Sequence, residues 1–135
     1  MRYRHPCERV LVVEDDLDLL KAIGEFLADV GVEAVLLTDG AAAIAYLASG
    51  PLPDVVLLDV ALPRASGHEV LEFLRKDPQR RTIPVAAMSG FSRERYAYLP
   101  AVDEFLEKPF DVETLNDALS GLCRKKGSQT PAPVA

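Results

Sequence analysis

An α/β fold built on a doubly wound, five-stranded parallel sheet is the fold class that this 135-residue chain predicts. Three observations predict it. Short apolar runs alternate with stretches of helical periodicity five times along the chain, the pattern of a parallel sheet with helices on both faces. The run Val55-Val56-Leu57-Leu58 is apolar at every position, so it reads as a strand buried on both sides. That run ends abruptly in a carboxylate, Asp59, at the edge where open parallel sheets bind their ligands.

The length suits one domain with a sizeable core, and no internal repeat is visible. With 49% hydrophobic and 27% charged residues, the composition is that of a globular protein. No apolar run approaches membrane-spanning length, and Val10–Val13 is too short for a signal-peptide core, so a cytoplasmic protein without membrane contact is expected. A net charge of −6 argues against a nucleic-acid surface on the domain. Cys7 and Cys123 stand far apart in no metal-ligand pattern; free thiols are the expected state, and a bridge is left open. His5 and His68 form no cluster, so no zinc site is expected.

Residues 1–8 read as an irregular lead-in. Arg9–Val13 is the first strand, followed by Glu14-Asp15-Asp16. Leu17–Val30 has helical spacing, with Leu20, Ile23, Leu27 and Val30 on one stripe. Asp16 suits its N-cap and Gly31 the position past its end. Val32–Leu37 is the second strand. Ala41–Ala48 is a short alanine-rich helix closed by Ser49-Gly50-Pro51. Asp54–Asp59 is the third strand, and a helix from Gly67 to Lys76 buries Val70, Leu71 and Leu74 before Asp77-Pro78. Ile83–Met88 is the fourth strand, with Pro84 near its start, where a proline is tolerated. Ser92–Leu99 predicts only a brief helix, stopped by Pro100. Glu104–Glu107 is the fifth strand, and Asp111–Cys123 the last helix, with Val112, Leu115, Leu119 and Leu122 inward. Residues 124–135, basic and then rich in Ser, Thr, Pro and Ala, read as a disordered tail or the root of a linker.

The predicted strand ends carry a coherent set of side chains. The first gives Glu14 and Asp15, the third Asp59, the fourth Ser89 and the fifth Lys108. Each alone is ordinary: a strand-end aspartate is usually a cap, an acidic pair before a helix compensates its dipole, and Ser-Gly or Lys-Pro marks a turn. On different strand ends of one sheet they share a crevice. Crowded carboxylates hold a hard divalent cation or share a proton, and Mg²⁺ takes few carboxylates while keeping waters and phosphate oxygens. A hydroxyl and an ammonium beside them can bind a phosphoryl group. That is chemistry for phosphoryl transfer by positioning and charge neutralisation.

Four motifs then carry a resemblance: Leu11-Val12-Val13-Glu14-Asp15-Asp16; Leu57-Leu58-Asp59-Val60-Ala61-Leu62-Pro63 with Gly67; Met88-Ser89-Gly90; and Phe105-Leu106-Glu107-Lys108-Pro109-Phe110. Together, in this order, they resemble the receiver domain of two-component response regulators over roughly Val10 to Cys123, which sets the expected domain at 9–123. The resemblance implies a flavodoxin-like sheet of order 2-1-3-4-5. It implies that Asp59 accepts a phosphoryl group from a histidine kinase or histidine phosphotransfer protein. It implies Mg²⁺ on Asp15, Asp59 and the Ala61 backbone carbonyl, with Glu14 acting through water. Lys108 would contact the phosphoryl group, Ser89 would follow it inward, and Phe105 would change rotamer, to be read by a downstream target or output domain. This is a switch rather than a metabolic enzyme, apart from catalysing its own phosphorylation and dephosphorylation. Eighteen residues between Ser89 and Lys108 predict a shortened or irregular fourth helix. Apolar Ala61 and Phe91, each two residues past a site residue, predict slow self-dephosphorylation. Two other readings remain: a phosphorylation-independent interaction module, and a Mg²⁺-dependent phosphohydrolase using an aspartyl phosphate, which would want an acid where Ala61 stands.

Overall fold

The computed structural model describes residues 6–62, 67–90 and 102–129, with only the helical backbone over 125–129. Within them the chain runs β1 (Arg9–Val13), α1 (Leu17–Asp29), β2 (Glu33–Leu37), α2 (Gly40–Ser49), β3 (Val55–Asp59), α3 (Gly67–Lys76), β4 (Val85–Ser89), β5 (Glu104–Glu107) and α4 (Val112–Gln129). All strand pairs are parallel, in the order β2-β1-β3-β4-β5.

Strand position follows from composition. β3 and β4 are buried at every residue and lie inside the sheet, whereas β2 and β5 form its edges and keep exposed glutamates at their ends. Because successive side chains point to opposite faces, Val55 and Leu57 enter one core and Val56 and Leu58 the other. The first core is closed by Leu20, Ile23 and Leu27 of α1 and Leu115, Leu119 and Leu122 of α4. Ala43 and Leu47 of α2 and Val70, Leu71 and Leu74 of α3 close the second. The sheet is thus wound on both faces.

The caps explain the helix boundaries. Asp16 accepts from the Asp18 and Leu19 N–H groups, at 3.0 and 3.3 Å, and opens α1. Gly31, at φ 78°, turns the chain out after it. Asp39 accepts from Ala42 N at 2.7 Å and opens α2. Asp54 ties the root of β1 to the start of β3, its Oδ2 accepting from Glu8 N and Arg9 N at 2.6 and 3.0 Å.

Two expectations are overturned. The last helix does not end at Cys123 but continues to Gln129, taking in half of the expected tail. Arg124, Lys125 and Lys126 are good helix formers, so a basic run read as a tail continues the helix. Nor are the cysteines free: Cys7 and Cys123 form a disulfide, with Cα atoms 5.4 Å apart. Parallel topology brings the root of β1 and the far part of α4 to the same rim, a meeting that 116 residues of separation hide in the sequence. The brief helix over Ser92–Leu99, the shortened fourth helix and Phe91 fall outside the described residues.

Candidate functional site

Every strand-end residue singled out from the sequence lies on the C-terminal edge of the sheet. β1 delivers Glu14 immediately after Val13, where its N–H bonds to Leu37 O at 3.0 Å and its side chain is fully buried. Asp15 follows and is exposed, which suits a carboxylate meant to meet an ion from solvent. β3 delivers Asp59, 3% exposed, and β4 delivers Ser89, 2% exposed. Lys108 follows β5, its backbone N–H held by Ser89 O at 2.6 Å, so the end of β4 fixes where the ammonium starts.

The side chains converge. Lys108 Nζ lies 2.6 Å from Glu14 Oε1 and 3.4 Å from Asp59 Oδ2. The shorter contact is an ion pair by distance without hydrogen-bond alignment. Asp59 Oδ1 accepts from Ala61 N at 2.9 Å, and Glu14 Oε2 from Asp16 N at 3.0 Å. One carboxylate oxygen from each of Glu14, Asp15 and Asp59 lies within 4.8 Å of the others.

Burial and charge oppose one another here. Burial pushes the Glu14 carboxyl up to about 7, against the pull of Lys108 and the Asp16 N–H. Burial acts on Asp59 in the same direction but is outweighed by the Ala61 N–H, the hydrogen bond shared with Glu14 and the Lys108 charge, so Asp59 stays below the usual carboxylate range. Burial also works against the Lys108 ammonium, yet Glu14 and Asp59 hold it above its ordinary value. The result is an Asp59 carboxylate that favours its ionised form beside a Glu14 carboxyl that holds a proton more readily.

Of the two carboxylates that Lys108 contacts, Glu14 is the nearer, a pairing not read from the sequence. The sequence reading missed the role of Gly67. A Cβ there would come within 2.7 Å of Val60 Cα and 3.0 Å of Asp59 O, so the start of α3 packs directly on the backbone leaving the site. Gly67 figured in the sequence motif, but nothing local announces that contact. Phe105 is half-buried and packs against the α2–α3 core.

The four motifs that meet in this cleft fall within residues 10–120, the segment matched by the family model described as the response regulator receiver domain. The chain belongs to that family. This receiver domain is 35% identical over 129 residues to the response regulator MprA of Mycobacterium sp. (strain KMS), covering 92% of this chain and 56% of that one. It therefore spans about half the length of the curated relatives it matches. Among solved structures it is similar to the receiver domain of the Francisella response regulator 1452, with TM-score 0.78 and 27% identity over 87% of this chain and 98% of that one. It is equally similar, at TM-score 0.78 and 25% identity with the same coverage, to the receiver domain of the sensor histidine kinase PA1611 of Pseudomonas aeruginosa PAO1, which has a magnesium ion coordinated in its active-site cleft. The Glu14–Asp15–Asp59 cluster of this receiver domain has the all-oxygen donors such an ion prefers. Among the described residues, no helix is long and apolar enough to cross a membrane.

Proposed function

We propose that this receiver domain is a phosphorylation-activated switch of a two-component phosphorelay, with Asp59 as phosphoacceptor. The observation that carries the reading is the convergence of one ammonium, Lys108, on the Glu14 and Asp59 carboxylates, with Asp15 beside them. Asp15, Asp59 and the Ala61 carbonyl would hold Mg²⁺, with Glu14 acting through water, and the ion would supply charge to neutralise phosphoryl oxygens. Asp59 is ionised, and Ala61 N fixes one of its oxygens. The other, Oδ2, faces Lys108 and is the nucleophile. It attacks the phosphorus of a partner's phosphohistidine; an oxygen–phosphorus bond forms as the phosphorus–nitrogen bond breaks, and the imidazole leaves. Lys108 exchanges part of its contact with Glu14 for the incoming oxygens, and the Ser89 hydroxyl binds one of them. Phe105 follows Ser89, and a downstream protein or output domain reads the change. The partners are thus a histidine kinase or phosphotransfer protein and a protein target in the cytoplasm. No catalysis beyond the domain's own phosphorylation and dephosphorylation is required.

Mass spectrometry after incubation with Mg²⁺ and acetyl phosphate tests this. One added phosphoryl group is expected on the native chain and none on Asp59→Asn. Label on neither protein, or on both equally, overturns the assignment.

A further inference from the structure

The bridge between Cys7 and Cys123 serves none of the chemistry at the cleft. Cys7 precedes β1, so it lies at the N-terminal rim of the sheet, opposite the site. Cys123 lies on α4, which begins four residues after Lys108 at the functional edge and returns to that far rim. The bridge therefore fastens the distal part of the one helix whose proximal end follows the site lysine. Both cysteines are nearly sealed, at 2% and 3% exposure, and pack in the core formed with Val10, Leu119 and Leu122.

We propose that Cys7 and Cys123 form a redox latch, closed by a disulfide-type oxidant and opened by a dithiol, that sets how firmly the far half of α4 is held against β1. Closing joins the two sulfurs and passes two electrons and two protons to the oxidant's disulfide, which leaves as two thiols. Opening by a dithiol reverses this and leaves that reductant as its own disulfide. The fold tolerates both states, because a free buried cysteine behaves as a small hydrophobe and both side chains remain in an apolar cluster. Access requires only local opening. The strand ladder starts at Arg9, and the residue after Cys7, Glu8, is held through Asp54 Oδ2 at 2.6 Å and by its carbonyl on Glu33 N at 2.9 Å. Release of Glu8 would free the segment that carries Cys7 ahead of the strand ladder, giving a reductant a route to its sulfur without unfolding the sheet. In a compartment rich in dithiols the latch rests open, and an oxidative challenge closes it.

The test uses the full chain in native buffer, treated with oxidised glutathione or with dithiothreitol, then alkylated in denaturant and weighed. No alkylation is expected after the first treatment and two alkylated thiols after the second. Opening is expected to lower Tm by about 5 °C or more. It should also speed amide exchange over residues 116–129 by about tenfold or more. The comparison lies within one sequence, so it does not depend on a variant folding; a Cys7→Ala/Cys123→Ala protein should match the opened form under both treatments. Two alkylated thiols after oxidant, a bridge that dithiothreitol opens only in denaturant, or identical melting and exchange in both forms would each overturn the latch. None of these outcomes bears on phosphorylation of Asp59.

Discussion

At the scale of single residues, the site is a problem in charge balance. Glu14, Asp15 and Asp59 were legible because they stand at the ends of apolar strands of one parallel sheet, where residues that are ordinary singly share a crevice. The division of labour was not legible, because it depends on which carboxylate is buried deeper. Glu14 has no exposed surface, so it is the one that Lys108 must neutralise. Lys108→Ala should cost about 1–2 kcal/mol near pH 8, below the ~3–5 kcal/mol usual for breaking a buried pair, because Glu14 can take up a proton instead. Glu14→Gln with Lys108→Ala should be less destabilised than the two single changes summed, with a coupling of about 1 kcal/mol in a urea-denaturation cycle. Strict additivity would mean that the contact at 2.6 Å carries no energy. The disulfide marks the opposite limit of legibility: neither Cys7 nor Cys123 carries a local signal of its partner, and only the assembled sheet brings them together.

At the scale of elements, periodicity located every described strand and helix, and the errors are at boundaries: propensity carries α4 past Cys123, and a tertiary contact sets the start of β4. β4 begins at Val85 rather than Ile83 because Val56 pairs with Val85 and donates its N–H to Pro84 O, which leaves Ile83 in the preceding turn. α3 begins at Gly67, as read, but for a reason the sequence hides. The helix start is pressed against the backbone of Asp59 and Val60, which only a residue without a side chain permits. Gly67→Ala must move either α3 or the loop that holds Asp59. Its expected cost is about 1–3 kcal/mol, the usual range for overpacking. The loop carries Ala61, whose N–H fixes Asp59 Oδ1, so the same change should weaken Mg²⁺ binding in a calorimetric titration. Gly121→Ala, inside α4 where an added Cβ meets nothing within 4 Å, provides the control: it should leave Mg²⁺ binding unchanged and raise stability by about 0.5–1 kcal/mol. A Gly67→Ala protein as stable and as metal-competent as the parent would show that the loop yields without effect.

At the scale of the whole molecule, the fold gathers acidic groups at one rim of a chain already carrying a net charge of −6. Three carboxylates and one ammonium leave that rim short of positive charge, and burial of Glu14 and Asp59 prevents water from screening it fully. The folded state should therefore bind a divalent cation far better than the unfolded chain, where the same residues are dispersed. Linkage turns that preference into stability: at a Mg²⁺ concentration one hundred times Kd the gain is about 2.7 kcal/mol, which for a domain of this size raises Tm by roughly 8 °C. Asp15→Ala should abolish most of the rise while leaving the melting temperature without Mg²⁺ nearly unchanged, because Asp15 is exposed and contributes to neither core. Thermal melts with Mg²⁺, and with choline chloride at equal ionic strength, separate specific binding from general screening. An equal rise in both salts, or in the parent and Asp15→Ala proteins alike, would mean that the acidic rim relieves its repulsion without a resident ion.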